Sequence, residues 1–371
     1  SLMGLLDRYR QFRELSPEEV SAGLRAEADE RRRQALERVG ELDLSKTTWH
    51  EYPPSPVVDA ITFPARRGLH RYAGADGELR SALAHRHGVP VDRVVLGDGA
   101  SQLLVSAAQV LLEPGDELLA PWPAYPLYPV MAREAGAQVV TVPGHSVDAI
   151  LGALTKKTRL VVLANPNDPT GELIGAPELE RLLEALPERV GLLLDEALRD
   201  FVDREEPDAA LRLAGDHPRL LVFRSFSKAW GLAGLRCGYA VCGPGAEALL
   251  AGIGPALGIG ELSQAGALKA LDSISGVVAG RASQVAAERR RLYAELADRP
   301  VQALPDSQAN FIWLAAEGMD GAQLASALAR FSVTVATGSA LGDSRHVRVT
   351  VQDEAAGDRF LRALDQALGL A

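Results

Sequence analysis

The feature of this sequence that most restricts its fold is a series of short, uninterrupted apolar segments that alternate with helical patterns such as residues 177–185. Short apolar strands separated by helices indicate a mostly parallel sheet whose two faces are both buried. The sequence therefore predicts an α/β fold with three layers. The strand-like segments lie at residues 94–96, 117–120, 138–142, 159–164, 191–194, 220–223 and 238–241.

The pattern changes after residue 262. Residues 263–299 read as one long, charged helix, and the remainder mixes alternating strand-like segments with short helical ones, which predicts a smaller α+β domain. Residues 4–39 are rich in Leu, Ala, Glu and Arg and predict a helical arm. The 371 residues exceed one typical core, so we divide the chain into an N-terminal helical arm (1–45), a large domain (46–262) and a small C-terminal domain (263–371).

Composition excludes several classes of function. The formal net charge of −10 argues against binding to nucleic acid or to an anionic membrane surface. The apolar stretches are too short to span a membrane, and the N-terminus does not read as a signal peptide, so we expect a cytoplasmic protein. Cys237 and Cys242 cannot form a disulfide framework, and we expect buried, reduced thiols. We also expect no metal ion.

One lysine stands out because it lies between two apolar runs. Lys228 is one of five lysines and follows the segment at 220–223, before a stretch of small residues and glycines. A desolvated amine loses its proton more easily, which suits it to forming a Schiff base with a carbonyl. The alternative is a lysine that extends from a strand end into solvent.

Other polar groups follow the predicted strands at the edge where parallel sheets bind ligands. The turn at 97–101 (GDGAS) opens a helix and can present free N–H groups to a phosphate, although such a turn is often only structural. Residues 165–171 (NPNDPTG) form a stiff, Asx-rich loop. Asp195 ends a buried strand, where a carboxylate needs a cation, unless it simply caps the next helix.

Together, these motifs resemble the fold-type I pyridoxal-phosphate enzymes, and within them the histidinol-phosphate aminotransferase branch of the class I/II aminotransferases. The likeness rests on NPNDPTG at 165–171, DEA at 195–197 and SFSKAWGLAGLRCG at 225–238, in that order, and extends from about His50 to the C-terminus. It implies a three-layer large domain with a mostly parallel sheet, a smaller α+β domain, and pyridoxal 5'-phosphate as the cofactor.

The resemblance also implies roles for single residues. Lys228 would bind the cofactor as a Schiff base and then move a proton at the substrate. Asp195 would pair with the ring nitrogen of the cofactor, and Tyr125 would stack on the ring unless it is an ordinary core tyrosine. The phosphate would be held by Ala100, Ser101, Ser225, Ser227 and Arg236.

Two further residues are implied for the substrate and the partner subunit. Arg348, within the strand-like segment 346–351, would bind the substrate α-carboxylate; the alternative is an outward-facing strand arginine. Tyr72 would reach the phosphate in the partner subunit, so that a homodimer completes the sites.

The sequence departs from the family pattern at three places. Asp168 stands where the family usually has Asn, and Leu198 stands where it usually has Tyr, both beside the phenolate oxygen of the cofactor. Leu198 has no donor, and an ionised Asp168 would repel the phenolate, whereas a protonated one could donate. Residues 333–337 (VTVAT) lack an arginine that histidinol-phosphate enzymes carry, so we expect histidinol phosphate to be a poor donor.

We therefore predict an aminotransferase that moves an amino group from an amino acid to a 2-oxo acid, without selectivity for a phosphorylated substrate. Two alternatives stay open: a decarboxylase or lyase of the same fold, and a catalytically idle protein that binds the cofactor. The presence of Lys228, Asp195 and Arg348 favours an active enzyme.

Overall fold

We describe a computed structural model of the chain, which covers residues 22, 23, 26, 40–73 and 77–370. Most of the predicted helical arm lies outside these residues. Within them, no helix is both long and apolar enough to cross a membrane.

The larger sheet has seven strands in the order β2-β8-β7-β6-β5-β3-β4. All neighbours run parallel except at β8, which is antiparallel to both β2 and β7. Each strand coincides, within one or two residues at its ends, with a predicted apolar segment. The strands are β2 (Val94–Gly97), β3 (Glu117–Trp122), β4 (Gln138–Pro143), β5 (Thr158–Ala164), β6 (Gly191–Asp195), β7 (Leu220–Ser225) and β8 (Gly238–Cys242).

Helices bury both faces of this sheet. In β5, Leu160 and Val162 pack with helices α3, α4 and α8, whereas Val161 and Leu163 pack with α5, α6 and α7. This division of alternate residues between two cores confirms the three-layer prediction. The helices are α1 (Ser55–Arg67), α2 (Gly77–His87), α3 (Ala100–Leu111), α4 (Leu127–Glu134), α5 (Val147–Gly152), α6 (Ala176–Ala185), α7 (Ala209–Leu213), α8 (Glu247–Ile253), α9 (Glu261–Ser273), α10 (Ser275–Leu296), α11 (Gly321–Ala329) and α12 (Glu354–Ala367).

A second, five-stranded sheet has the order β1-β11-β12-β10-β9. Its pairs are antiparallel, apart from the parallel pair of β1 with β11. Helices α10, α11 and α12 contribute to its core. Its strands are β1 (Leu42–Leu44), β9 (Val301–Ala303), β10 (Phe311–Ala316), β11 (Val333–Thr337) and β12 (His346–Thr350).

Three local features differ from the sequence-based reading. The predicted long helix at 263–299 is two helices, α9 and α10, which meet at Ile274, because this residue leaves the helical conformation and buries its side chain in the core. The prolines at residues 50–56 predict an extended, turn-rich path, but helix α1 already begins at Ser55, with Pro56 in the first turn, where proline is tolerated. Residues 42–44, which we assigned to the arm, form β1 of the smaller sheet.

Candidate active site

A cavity lies at the carboxyl ends of strands β5, β6 and β7, where the sequence motifs meet. Parallel sheets place the ends of these strands at one edge, so residues far apart in the chain become neighbours. The lining residues are Thr48, Ala100, Ser101, Tyr125, Tyr128, Ala164, Pro166, Asp168, Asp195, Ala197, Leu198, Ser225, Ser227, Lys228, Ala233 and Arg236.

Lys228 projects its amine into this cavity from the turn after β7. Burial lowers the pKa of the Lys228 amine below its ordinary value, against the opposing attraction of Asp168. The Nζ atom donates to Thr47 Oγ1 at 2.5 Å. A partly buried amine with a lowered pKa is suited to attack a carbonyl carbon.

Asp195 lies at the end of β6 and is 8% exposed. Its Oδ2 accepts from the Tyr128 hydroxyl at 2.9 Å, and its Oδ1 accepts from the Ala197 N–H at 3.1 Å. Burial nevertheless raises the pKa of the Asp195 carboxyl above its usual range. This carboxylate accepts hydrogen bonds but forms no ion pair with the described residues. A ligand cation placed beside it would therefore be stabilised.

The opposite end of the cavity is suited to an anion. Helix α3 begins at Ala100 with no side-chain cap at Gly99, so its first N–H groups are free to bind a ligand. Arg236 is exposed, and its side-chain hydrogen bonds to the described residues are long: 3.3 Å to the Ala233 carbonyl, 3.4 Å to Ser227 Oγ and 3.5 Å to the Asp98 carbonyl. With Ser101, Ser225 and Ser227 nearby, this end offers the donors that a phosphate requires.

Asp168 and Arg348 form an ion pair that the sequence reasoning did not predict. Arg348 Nη1 donates to Asp168 Oδ1 at 2.5 Å, and Arg348 Nη2 donates to the Ser45 carbonyl at 2.9 Å. Asp168 lines the cavity, whereas Arg348 lies behind it and is 8% exposed. The β-register places Ala336, from the arginine-free segment 333–337, beside Arg348.

The remaining predicted residues separate into two places. Tyr125 lines the cavity, where burial raises the pKa of its hydroxyl, and its ring meets that of Tyr128 edge-on at 6.0 Å. Leu198 is buried and lines the same cavity. Tyr72 does not line the cavity: it is 86% exposed and contributes to a separate groove with Leu69 and Leu257.

Sequence reasoning missed the segment 45–48, which crosses the site. Its Ser45 carbonyl accepts from Arg348, its Lys46 carbonyl accepts from Thr350 Oγ1 at 2.8 Å, and its Thr47 carbonyl accepts from Asn310 Nδ2 at 3.0 Å. No motif marks this segment, because its contacts, including that of Thr47 with Lys228, join residues more than 180 positions apart. Tyr128 was missed for a simpler reason: it stands three residues after Tyr125 and reads as a core tyrosine.

The chemistry of these donors fits pyridoxal phosphate. A reactive amine, an under-compensated carboxylate and a set of anion donors lie around one cavity, which matches the aldehyde, the ring nitrogen and the phosphate of that molecule. A side chain at Gly99 would place its Cβ 2.4 Å from Arg236 Nη2, so glycine keeps the phosphate end open.

Comparison with known proteins agrees with this geometry. The family described as aminotransferase class I and II matches residues 39–364. The aromatic amino acid aminotransferase of Streptomyces avermitilis is 35% identical over 322 residues, covering 85% of this chain and 88% of the relative. That of Corynebacterium jeikeium is 38% identical over 329 residues, covering 85% and 86%.

A solved structure gives the same result. The histidinol-phosphate aminotransferase of Sinorhizobium meliloti, in complex with pyridoxal-5'-phosphate, superposes with a TM-score of 0.79 at 27% identity, covering 91% of this chain and 95% of that one. The chain therefore belongs to the class I and II aminotransferases of fold type I, which use pyridoxal phosphate to move an amino group from an amino acid to a 2-oxo acid.

Proposed function

We propose that this aminotransferase uses aromatic amino acids as amino donors. The observation that carries the proposal is the charge of the cavity lining: its two cations are Lys228 and Arg236, both assigned to the cofactor, and no third cation lines it among the described residues. A donor with a phosphate or a second carboxylate would therefore lose water without gaining an ionic partner from this chain. The relatives named as aromatic amino acid aminotransferases support the same choice.

The cofactor would be held by residues from three strand ends and one helix. When bound here, pyridoxal phosphate supplies an electron sink for the bond that is broken. Asp195 would keep the ring nitrogen protonated, with Tyr128 and Ala197 orienting the carboxylate. The N-terminus of α3 at Ala100 and Ser101 would bind the phosphate. Ser225, Ser227 and Arg236 complete that end, and Tyr125 covers the ring.

Lys228 would move the proton at the reacting carbon of the substrate. Thr47 accepts a hydrogen bond from its amine and so holds Nζ at one side of the cavity. Because burial lowers the pKa of Lys228, the free amine is a base at lower pH than an exposed lysine would be.

Apolar groups form the part of the wall suited to a donor side chain. Leu198, Pro166 and Ala197 line the same cavity as the Tyr125 ring. Leucine at position 198 carries no hydroxyl, so it presents only apolar surface to a ligand, and burying apolar surface contributes about 25 cal/mol per Å² to binding. We infer that this wall favours phenylalanine and tyrosine over aspartate.

The test is a panel of amino donors with purified protein loaded with pyridoxal phosphate and 2-oxoglutarate as acceptor. We expect the specificity constants of phenylalanine and tyrosine to exceed those of aspartate and histidinol phosphate by about tenfold or more, the scale of one well-buried apolar group. Higher values for aspartate or histidinol phosphate would contradict the proposal. Release of carbon dioxide or ammonia in place of a 2-oxo acid would indicate the decarboxylase or lyase alternative.

We further propose a cytoplasmic homodimer with the domain division at residues 45 and 262. Support for the dimer comes from large apolar side chains that are strongly exposed near the groove around Tyr72. Such clustered exposed apolar groups are typical of subunit interfaces. They are Phe63, Leu69, Tyr72 and Leu257.

A further inference from the structure

The ion pair of Asp168 with Arg348 gives the substrate side of the site an unusual charge. Arg348 is the arginine to which we assign the substrate carboxylate, yet its Nη1 is already bound to a carboxylate at 2.5 Å. Its Nη2 donates to the Ser45 carbonyl, and its Nε has no hydrogen-bond partner among the described residues. Asp168 lines the cavity and Arg348 does not, so a ligand in the cavity meets the Asp168 carboxylate first.

The loop that carries Asp168 is held from several directions. The side chain of Asn167 donates to Thr170 Oγ1 at 2.8 Å and to the Pro123 carbonyl at 3.1 Å. The Gly171 carbonyl accepts from the Gln308 N–H at 2.8 Å, which attaches the loop to the second sheet region. The loop is therefore held on both sides of Asp168 in the sequence, and the Asp168 side chain is 11% exposed.

Charge decides what such a site binds. A free guanidinium attracts a carboxylate, whereas a guanidinium already paired with a buried carboxylate offers little net attraction to a second anion. The other charged groups that face Asp168 are Lys228 and Asp195, of opposite sign. A ligand carboxylate at this place would meet two carboxylates already present, while an uncharged polar group would avoid that repulsion.

We propose that Asp168 is a specificity-determining residue that neutralises Arg348, and that the enzyme therefore also accepts primary amines with an uncharged amide or hydroxymethyl group in place of the carboxylate. The proposal rests on the proposed function and on the role that the family resemblance implies for Arg348, binding of the substrate carboxylate. It extends the substrate class from amino acids to their amides and alcohols.

The reaction on such a donor is the same group transfer. The donor carbon gives its amino group and its hydrogen to the aldehyde carbon of the cofactor and receives the aldehyde oxygen in exchange. The products are a ketone that carries the amide or hydroxymethyl group and the amine form of the cofactor, which a 2-oxo acid converts back. No further oxidant or reductant is required.

The test compares a charged ligand with a matched uncharged one in two proteins. The wild-type holoenzyme and an Asp168→Asn variant are titrated by calorimetry with 3-phenylpropionate and with 3-phenylpropanamide, which differ in the carboxylate alone and do not react. In Asp168→Asn we expect 3-phenylpropionate to bind more tightly relative to 3-phenylpropanamide than in the wild type. The ratio of the two dissociation constants should change by about tenfold or more, because Arg348 is then unpaired. Single-turnover rates with phenylalanine and phenylalaninamide should shift in the same direction.

Two results would overturn the proposal. The first is a ratio of the two dissociation constants that is the same in Asp168→Asn as in the wild type, or that changes in favour of the amide. The second needs only the wild-type protein: a preference for the carboxylate of more than about a hundredfold would show that Arg348 is fully available, even if the variant does not fold. If phenylalanine proves a poor donor, the proposed function fails, and the same comparison made with the best donor of the panel and its amide still decides the role of Asp168.

Discussion

Asp195 is a buried carboxylate with two hydrogen-bond donors, and no cation among the described residues is bound to it directly. Because burial raises its pKa, folding of the cofactor-free protein favours the protonated form. Asp195 therefore lowers the stability of the cofactor-free protein progressively as the pH rises from 3.8, the ordinary aspartate value, towards its raised folded pKa. A bound ring cation would remove this loss.

This leads to a prediction about thermal stability. We expect the gain in melting temperature on adding pyridoxal phosphate to increase by about 1 °C or more as the pH is raised above 3.8, because 1 kcal/mol corresponds to about 1.3 °C in a chain of 371 residues at an unfolding entropy of about 2.1 cal/mol/K per residue. Differential scanning calorimetry of the cofactor-free and loaded proteins measures the gain. In Asp195→Asn the gain in melting temperature should no longer increase with pH in this way. An equal pH dependence of the gain in the wild type and in Asp195→Asn would argue against the pairing of Asp195 with the ring nitrogen.

At the scale of elements, the turn from β2 into helix α3 depends on a glycine with positive φ. Gly99 has φ of 81°, and a Cβ there would come within 2.4 Å of Arg236 Nη2. The change Gly99→Ala should therefore both strain the backbone, by about 1–2 kcal/mol, and displace the arginine assigned to the phosphate. We expect the dissociation constant of pyridoxal phosphate, measured by absorption, to rise about tenfold, the equivalent of one lost charged hydrogen bond.

Gly88 provides a matched control for this substitution. It also has positive φ, at 65°, but a Cβ there would meet no atom within 4 Å. Gly88→Ala should lower the free energy of unfolding by about 1–2 kcal/mol and leave the affinity for the cofactor unchanged. If both variants bind the cofactor as the wild type does, the turn has no part in phosphate binding.

The elements also show what the sequence could and could not predict. The strands of the large sheet, apart from the largely exposed edge strand β4, were predictable because each contains a continuous apolar run that is buried on both faces. The break at Ile274 was not, because the nearby glycine, Gly276, lies inside α10 and the burial of the Ile274 side chain decides where the helix ends. The resemblance pointed to Asp168 and Arg348 separately. Their ion pair could not be predicted, because the two residues lie 180 positions apart in the chain and their contact depends on how the two sheets meet.

At the scale of the whole molecule, the position of Tyr72 predicts that one subunit completes the site of the other. Tyr72 is exposed and lies outside the cavity of its own chain. If it acts in the partner, Tyr72→Ala and Lys228→Ala subunits should each be nearly inactive alone. Refolded together, they should recover activity, because a mixed dimer contains one site with both residues intact.

Activity of the mixture, with size-exclusion chromatography and light scattering to confirm dimers, measures this complementation. A mixture of wild-type and Lys228→Ala subunits controls for subunit exchange. Dimers that form without regaining activity would place Tyr72 in its own site or in none, and a monomer would contradict the assembly itself.

The segment from Ser45 to Thr47 has a mechanical consequence for catalysis. Three of its carbonyls are tied to Arg348, Thr350 and Asn310, at or beside the smaller sheet, while its Thr47 hydroxyl holds the reacting amine of the larger one. A rotation of the smaller sheet against the larger one would therefore change the length of the hydrogen bond between Thr47 and Lys228. Movement of Arg348 towards a bound substrate and release of the Lys228 amine would then be coupled through the backbone of residues 45–47.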